Sequence, residues 1–317
     1  MRLHVHAQSD VGRERAQNED SLRVVQGEGF DALVVCDGMG GHEAGEVASA
    51  IATERLIEAL CANAPMRQAL VDANQAVVGE SRARGTPTMG TTAVCARHRT
   101  GRLEVGWVGD SRFYLFRQGA IVARSVDHSR VQRLVDLGFI TPDQARNHPD
   151  SHVLVQALGG GPGAQEAFDP SDLRVESLER GDTLLLCSDG LYDMVEDRDL
   201  YPLLAERTPE DACQALIDAA NARGGWDNIT VIVACVGREQ IPAAGPQSPS
   251  RAFAVSMGLL LLLGGVTAWK VLSAPPPAAA PLPGPSARSC DDAPSGMLCV
   301  PGGLSELDGP SCSGPGT

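Results

Sequence analysis

The chain has 317 residues, a length that fits one large domain or two of ordinary size. It carries 40 Asp and Glu residues against 26 Lys and Arg, which gives a formal net charge of −14 at pH 7. This balance argues against a general nucleic-acid binder, because phosphate backbones select surfaces rich in Lys and Arg. It is compatible with a group of metal-binding carboxylates, and we expect no nucleic-acid partner.

Apolar runs predict a series of strands within the first 238 residues. Several of these runs are separated by short turns, which favours antiparallel pairing. The predicted strands are Leu3–Ala7, Ala32–Cys36, Thr91–Ala96, Leu103–Val108, Arg112–Arg117, Ala120–Ala123, Thr183–Cys187 and Ile229–Cys235.

Apolar residues at three- and four-residue spacing predict helices between those strands. One helix begins at Thr208, with Pro209 in its first turn, and ends near Gly224. Strands in meanders and helices in pairs favour a layered sheet-and-helix fold over a doubly wound one. The other predicted helices are Ala44–Cys61, Met66–Ala83, Ser129–Leu137 and a short one that opens at Thr141-Pro142.

The cysteines and the start of the chain bear on its compartment. Met1-Arg2-Leu3-His4-Val5-His6 runs straight into polar sequence, so we predict no secretory signal peptide and a cytoplasmic location for the first 238 residues. Six cysteines there stand singly in apolar contexts, which is typical of reduced core cysteines. They are Cys36, Cys61, Cys95, Cys187, Cys213 and Cys235.

The sequence changes character after residue 238. Residues 239–251 have the composition of a linker, rich in Pro, Ala and Ser. Residues 252–269 carry no charge, have the length of a short spanning helix, and lie between Arg251 and Lys270. Because this segment shows no polar face, we predict a single transmembrane helix rather than a buried core helix.

A tail rich in Pro, Gly and Ser occupies residues 270–317, and its composition predicts little fixed structure. Its three cysteines, Cys290, Cys299 and Cys312, allow at most one disulfide within the tail. The basic residues that flank the predicted span nearly cancel as an orientation signal. The cysteines of the first region therefore decide the prediction, which places that region in the cytoplasm and the tail outside an inner membrane.

Five short acidic motifs are the most informative feature of the chain. Each carboxylate follows an apolar, strand-like run or lies beside glycine, so the motifs can converge at one edge of a sheet. Such a group would repel itself unless it held hard cations, which prefer oxygen ligands, and this indicates Mn²⁺ or Mg²⁺. The motifs are Asn18-Glu19-Asp20, Asp37-Gly38-Met39-Gly40-Gly41, Gly109-Asp110-Ser111-Arg112, Ser188-Asp189-Gly190 and Asp227-Asn228.

In order and spacing, these motifs resemble those of the PPM/PP2C family of metal-dependent protein Ser/Thr phosphatases. The resemblance covers about residues 1–238 and includes Ser9-Asp10-Val11-Gly12 leading to Arg15, Met89-Gly90-Thr91-Thr92, and Gly224-Gly225-Trp226-Asp227-Asn228. It implies an α+β fold, a four-layer α-β-β-α sandwich of two antiparallel sheets, with a site for two metal ions at one edge.

The resemblance also implies a role for each site residue. Asp37 would bridge two ions, and the Gly38 carbonyl would bind one of them. Arg15 would hold the substrate phosphate, which suits the planar fork of a guanidinium. The remaining metal-site residues implied by the family are Asp189 and Asp227 on the first ion, Glu19 on the second, and Asp20, which orders metal-bound water.

Three further residues have two interpretations each. His42 is a candidate proton donor to the leaving oxygen, but members with Asp-Gly-His carry that histidine where this chain has Met39. The alternative is a surface histidine that opens the next helix. Asp110 and Asp193 resemble ligands of a third, weaker ion in bacterial members, and the alternative is a structural turn carboxylate.

Residues 127–160 resemble the flap that lies beside the active site in bacterial members. Many of those members follow His-Pro with a basic residue and Asn, whereas this chain has Asp150-Ser151-His152 after His148-Pro149. His128 and His148 are expected to be structural.

The implied function is the hydrolysis of phosphoserine and phosphothreonine in proteins by a water that two metal ions activate. The expected partners are phosphorylated proteins, in particular Ser/Thr kinases or their substrates, at the cytoplasmic face of a bacterial membrane. Three alternatives stay open. They are a small phosphate-ester hydrolase, a pseudophosphatase that binds phosphoproteins without cleaving them, and a membrane-anchored sensor whose outer tail is the functional part.

Overall fold

The structure, a computed structural model, describes residues 2–40, 43–160, 173–244, 297–300 and 303–306. The chain forms two compact units, residues 1–248 and residues 249–317. The first unit contains two sheets and seven helices among its described residues. The described part of the second unit is a hairpin of β13 (Met297–Val300) and β14 (Gly303–Glu306).

Five strands form the first sheet, and each neighbouring pair is antiparallel. Side by side, they are β1 (Leu3–Asp10), β12 (Ile229–Val236), β11 (Thr183–Cys187), β7 (Arg112–Arg117) and β8 (Ala120–Arg124).

Seven strands form the second sheet, which is also antiparallel throughout its described pairs. Six of them lie side by side, and β2 (Asp20–Gly27) pairs with the long strand β3 (Phe30–Met39). The order of the six is β10 (Leu173–Ser177), β6 (Arg102–Val108), β5 (Ala93–Arg99), β3, β4 (Gly90–Thr91) and β9 (Leu158–Gly159).

Five of the seven described helices cover the outer faces of the two sheets, so the first unit has four layers. One apolar cluster joins α1 and α2 to the second sheet, and another joins α5, α6 and α7 to the first. A third cluster lies between the sheets. The helices are α1 (Glu43–Cys61), α2 (Met66–Arg84), α3 (Arg130–Asp136), α4 (Pro142–Arg146), α5 (Asp189–Tyr192), α6 (Asp197–Leu204) and α7 (Pro209–Ala222).

Strand β12 shows how the sequence builds these layers. Its side chains alternate between the two faces of the first sheet, as the period of two requires. Ile232 and Ala234 pack between the sheets, whereas Val231 and Val233 pack toward the helices on the outer face. Both faces are buried, which explains the continuous apolar run and its prediction as a strand. The predicted sandwich of two antiparallel sheets is confirmed.

Sequence reasoning missed β2, β9 and β10, and it joined Thr91 of β4 to the following strand β5 in one predicted strand, Thr91–Ala96. Strand β2 pairs with β3 along one side, and most of its residues are only partly buried, so it lacks a continuous apolar run. Strands β4 and β9 have two residues each, and three of those four positions hold Gly or Thr. Such elements exist because a neighbouring strand supplies hydrogen bonds, which a single-sequence pattern does not show.

The chain remains packed on the first unit after β12. Ile241 is 1% exposed, and its backbone NH donates to the Arg207 carbonyl at 2.8 Å. The Glu206 NH in turn donates to the Ile241 carbonyl at 2.8 Å. Residues 239–244, the start of the predicted linker, therefore lie against the domain.

Two predictions concern the rest of the chain. Helices long and apolar enough to cross a membrane are missing from the described part of the molecule, and the predicted span 252–269 lies outside that part. The hairpin of β13 and β14 differs from the expectation of little fixed structure in the tail. Its first strand holds the apolar residues Met297 to Val300, which general tail composition conceals.

Candidate metal centre

Four carboxylates reach one edge of the sandwich because their strands end there. Asp37 lies near the end of β3, and Asp20 opens β2 directly opposite it in the ladder. Asp189 follows β11, and Asp227 precedes β12. These positions explain how residues as far apart in sequence as Asp20 and Asp227 come to line or border one cavity of about 610 Å³.

The cavity holds most of the residues that the sequence singled out. Asp20 lies behind its wall, where its Oδ2 accepts a hydrogen bond of 2.8 Å from the Ser188 hydroxyl. His42 lies outside the described residues. The predicted site residues that line the cavity are Arg15, Glu19, Asp37, Gly38, Asp110, Asp189, Asp193 and Asp227.

Two glycines allow the first turns of α1 to approach the end of β3. A Cβ atom on Gly38 would collide with the carbonyl oxygens of Glu19 and Gly45, and a Cβ on Gly45 would collide with the Glu19 carboxylate. Any larger residue at either position would push α1 away from the edge. The glycine of the Asp37-Gly38 motif is therefore needed to bring Glu19 close to Asp37.

Asn228 organises the loop that carries Arg15 and Glu19. Its side chain is 3% exposed, and its Oδ1 accepts a hydrogen bond of 2.8 Å from the Glu19 NH. Its Nδ2 donates to the carbonyls of Val11 and Gln17, both at 2.9 Å. One buried amide thus ties residues 11–19 to the start of β12 and sets the position of Glu19.

The carboxylates at this edge of the sandwich lie close together, and few positive charges compensate them. Burial, followed by the charges of Asp20 and Asp189, raises the pKa of Asp37 well above its usual range. Burial, followed by the charges of Asp110 and Asp193, does the same to the pKa of Asp189. Burial raises the pKa of Asp20 to about 6, even though Thr230 and Ser188 donate hydrogen bonds to it. The ionised forms of these acids are therefore costly unless a cation compensates them.

Asp110 and Asp193 extend the acidic group toward a second cavity. Burial, followed by the charge of Asp127, raises the pKa of Asp110 to about 7. The pKa of Asp193 is also raised, chiefly by burial, although the nearby His152 lowers it. Both residues line the second cavity, of about 400 Å³, as well as the first.

The donor set fits hard divalent cations. Asp189 Oδ1 is buried without a hydrogen-bond partner among the described residues, which is costly unless a ligand satisfies it. Arg15 supplies positive charge, with its Nη2 at 2.6 Å from Asp227 Oδ2. Oxygen donors from several carboxylates and a carbonyl are the ligands that Mn²⁺ and Mg²⁺ prefer, and two ions would balance the buried charge.

Sequence reasoning missed three residues that shape the site. Asn228 belongs to a recognised motif, but its role as the anchor of residues 11–19 depends on distant carbonyls. His152 lines both cavities, and the only signal was a departure from the usual sequence after His-Pro. Trp226 is 67% exposed and lines the first cavity, and its position next to Asp227 could have indicated this.

Comparisons with known proteins agree with this fold and site. The family model "Protein phosphatase 2C" matches residues 11–217. The serine/threonine phosphatase Stp of Listeria monocytogenes is 35% identical over 247 residues, which cover 73% of this chain and 95% of the relative. The serine/threonine phosphatase PstP of Mycobacterium tuberculosis is 37% identical over 242 residues, which cover 74% of this chain and 45% of the relative.

A solved structure gives the same result. The catalytic domain of the phosphatase PstP in complex with two manganese ions has 34% identity and a TM-score of 0.63, covering 74% of this chain and 97% of that one. The chain therefore belongs to the protein phosphatase 2C family and is a protein serine/threonine phosphatase of the PP2C type.

Proposed function

We propose that this phosphatase uses two Mn²⁺ or Mg²⁺ ions to hydrolyse phosphoserine and phosphothreonine in proteins. The observation that carries the proposal is the group of carboxylates with raised pKa around one cavity, with Asp189 Oδ1 buried and lacking a partner among the described residues. In this proposal Asp37 would serve both ions, Asp189 and Asp227 would hold the first, and Glu19 would hold the second. The Gly38 carbonyl and Asp20 support this arrangement.

When bound, the ions would supply Lewis acidity to the phosphoryl group and to the attacking water. The chain's own residues place and stabilise the substrate. Arg15 lies at the cavity with a side chain that is 50% exposed, so its guanidinium is accessible to a phosphate from solvent. Its contact with Asp227 is a partly exposed ion pair worth about 1 kcal/mol or less. A phosphate can therefore compete for the guanidinium, which binds two of its oxygens at once.

We propose His42 as the donor of a proton to the departing serine or threonine oxygen. It lies three residues after Met39, which lines the cavity, and an imidazole can exchange a proton near neutral pH. Replacement by Gln is expected to slow the hydrolysis of a phosphoserine peptide more than that of an aryl phosphate, whose leaving group is less basic. Equal losses on the two substrates would contradict this role.

The experiment for the whole proposal is a phosphatase assay on the purified chain. After metal removal with EDTA, a phosphothreonine peptide should be stable, and added Mn²⁺ or Mg²⁺ should restore its hydrolysis. Nucleotides should be cleaved far more slowly than the peptide. Full activity in excess EDTA would overturn the metal dependence. Binding of the peptide without cleavage would indicate a pseudophosphatase, and preference for nucleotides would indicate a small-ester hydrolase.

We further propose that the enzyme is anchored in a bacterial inner membrane by residues 252–269, with its catalytic unit in the cytoplasm and its tail outside. The support is the charge-free stretch between Arg251 and Lys270, and six free thiols in the first unit, which suit a reducing compartment. Ser/Thr kinases at the same membrane face, or their substrates, are the partners that this location favours.

Cys61 provides a test of this topology because it is the exposed one of the six thiols. A membrane-impermeant thiol reagent should label the tail cysteines in intact cells and should label Cys61 only after the cells are opened. Loss of that labelling in the Cys61→Ser variant assigns it to Cys61. Labelling of Cys61 in intact cells, or a full-length chain that leaves the membrane in a salt wash, would contradict the proposal.

A further inference from the structure

Trp226 presents an exposed indole at the rim of the catalytic cavity. The residue is 67% exposed, and it lines that cavity together with the partly buried side chains of Met194 and Leu154. We call these three side chains the apolar wall. Thioether, aliphatic and indole groups neither hold a hard cation nor neutralise a phosphate, so the wall has no part in the proposed phosphoryl chemistry. Apolar groups beside a few polar ones are typical of a cavity that binds a ligand larger than a phosphate.

The indole is held in position by the two glycines before it. Gly224 has a φ of +135°, and a Cβ atom there would lie 2.6 Å from the indole Nε1, so the ring packs against bare backbone. The Gly225 carbonyl accepts a hydrogen bond of 2.7 Å from the Arg13 NH, and the Gly225 NH donates to the Ala220 carbonyl at 3.1 Å. A ring that is already ordered loses little entropy when a ligand covers it.

The other two members of the apolar wall come from separate segments of the chain. Arg223 Nη1 donates to the Met194 carbonyl at 3.0 Å, which fixes Met194 beside the loop that carries Trp226. The Met194 side chain also packs on the apolar cluster that joins α5, α6 and α7 to the first sheet. Leu154 belongs to the segment 127–160, where it forms an antiparallel bridge with Ser129. The fold therefore assembles the wall from three directions.

The apolar wall lies close to the group that is proposed to hold the substrate phosphate. Trp226 is followed directly by Asp227, whose Oδ2 is 2.6 Å from Arg15 Nη2. An extended peptide advances about 3.3–3.6 Å per residue. When Arg15 holds the phosphate of a phosphorylated residue, a side chain one or two positions away along the peptide can therefore reach the indole.

We propose that the apolar wall is a subsite for a large apolar side chain one or two positions from the phosphorylated residue, and that Trp226 sets this preference. The inference rests on the proposed function, because it takes Arg15 as the group that binds the phosphate of a protein substrate. Contact with the indole removes apolar surface of both partners from water, and a rigid aromatic ring is a favourable anchor for such a contact.

A basic side chain is the competing occupant, because the face of an indole can also bind a cation. Three arginines make that occupant unfavourable. Arg13 contacts Gly225, Arg15 pairs with Asp227, and Arg223 contacts Met194, so each of them lies beside the wall or its loop. Their like charge repels a Lys or Arg of the substrate, whereas a neutral apolar side chain is indifferent to it.

The test uses the full-length chain loaded with Mn²⁺ and a set of phosphothreonine peptides. The peptides are identical except for Leu, Gly or Lys at each of the two positions on either side of the phosphothreonine. The best Leu peptide should exceed its Gly counterpart about 5- to 20-fold in kcat/KM, the range for partial burial of an apolar side chain. The difference should lie mainly in KM, because the contact is remote from the reacting atoms.

Variants at Trp226 assign this preference. Trp226→Ala should reduce the ratio of kcat/KM between the Leu and Gly peptides to about 1, and Trp226→Phe should keep part of it. Phe139→Ala, which changes an exposed aromatic outside the cavity, is the control and should keep the full ratio. A tryptophan that only stabilises its loop would lower kcat/KM equally for both peptides and leave the ratio unchanged in Trp226→Ala. That result, a wild-type ratio near 1, or a preference for the Lys peptides would overturn the inference.

Failure of the proposed function has a different signature. A chain that cleaves nucleotides but none of the phosphopeptides would overturn that function. Calorimetry with non-hydrolysable phosphonate analogues of the Leu and Gly peptides then tests the subsite without cleavage. Binding of the Leu analogue at least about 5-fold more tightly than the Gly analogue would support the subsite, and equal affinities would overturn it.

Discussion

The two ends of strand β11 carry aspartates in opposite situations. Asp182, just before the strand, is 1% exposed and accepts hydrogen bonds from Arg117 Nε and Nη2 at 2.8 and 2.7 Å and from the Glu179 NH at 2.8 Å. Asp189, just after the strand, faces other carboxylates, and its Oδ1 has no partner among the described residues. The protein itself provides partners for Asp182, whereas Asp189 requires a ligand.

This contrast separates a structural carboxylate from a functional one. A buried charge is stable when a fixed cation and hydrogen bonds compensate it, as Arg117 does for Asp182. Where the fold collects acids and provides too little positive charge, the missing cations must come from solution. The raised pKa values of Asp37 and Asp189 show that their ionised forms are costly without such cations.

Substitution at the two ends of β11 gives the largest expected effects. Asp189→Asn should lower kcat/KM for a phosphopeptide roughly 1000-fold, because the metal centre loses a charge. The same change should stabilise the EDTA-treated chain at pH 8 by about 1 kcal/mol, since it removes an uncompensated, partly buried charge. Kinetics in Mn²⁺ and urea unfolding in EDTA measure the two effects.

Asp182→Asn is the matched variant and should show the reverse pattern. Activity in saturating Mn²⁺ should stay within about 2-fold of the wild type, since Asp182 lies at the far end of the strand. The free energy of unfolding should fall by about 2 kcal/mol, because Arg117 loses a charged hydrogen-bond partner. If Asp182→Asn abolished activity while Asp189→Asn preserved it, the assignment of the two ends would be wrong.

Arg15→Ala tests the positive charge at the acidic edge. We expect kcat/KM to fall about 10- to 1000-fold, the range for one lost charge-assisted contact to the transition state. Mn²⁺ affinity, measured by calorimetry, should not fall, since Asp227 is released from its ion pair. Arg15→Lys should recover only part of the activity, because an ammonium lacks the planar fork. Wild-type activity in the Ala variant would exclude Arg15 from phosphate binding.

The pH dependence of stability should differ between metal-free and metal-loaded protein. The pKa is about 6 for Asp20 and about 7 for Asp110 in the folded chain, above the usual value for Asp. Groups with a raised folded pKa stabilise the fold fully below the unfolded pKa, near 4, and lose that contribution as pH rises through 6 to 7.

In EDTA, the free energy of unfolding should therefore fall by several kcal/mol, on the order of 5, between pH 4.5 and pH 8. In saturating Mn²⁺ it should instead rise, because deprotonated carboxylates bind the ions and the folded state gains their binding energy. Urea titrations at several pH values measure both curves. Parallel curves in EDTA and Mn²⁺ would show that these acids do not hold metal.

Trp226→Ala should have the smallest effect and should depend on the substrate. Trp226 forms an exposed apolar wall of the cavity with Met194 and Leu154. Loss of that wall should raise KM for a phosphopeptide about 3- to 10-fold, as expected for part of an aromatic contact, and leave para-nitrophenyl phosphate hydrolysis nearly unchanged. Phe139→Ala, at an exposed aromatic outside that cavity, is the control and should change neither substrate.

Much of the fold was predictable because its signals are local. The bounds of β7 and β11 were predicted as observed, since short apolar runs between turn residues identify buried strands. The N-cap of α7 was also predicted from the sequence, and the Thr208 hydroxyl accepts a hydrogen bond of 3.1 Å from the Asp211 NH. Strand β2 could not be predicted from the sequence, because it depends on hydrogen bonds with β3. The motifs located the acidic residues of the cavity, but the roles of Asn228 and His152 depend on partners far away in sequence.

By itself, the sequence determined where strands and helices form and which acids stand at strand ends. The motif Ser188-Asp189-Gly190 singled out Asp189, but the apolar pattern did not explain why Asp189 and Asp182 differ, since both flank the same strand and both lie next to a glycine. Tertiary structure made that distinction by placing Arg117, which is 65 residues from Asp182, beside one end of β11 and other carboxylates beside the other. Burial and the charge of distant neighbours set the energy of an acid, and neither is a local property of the chain.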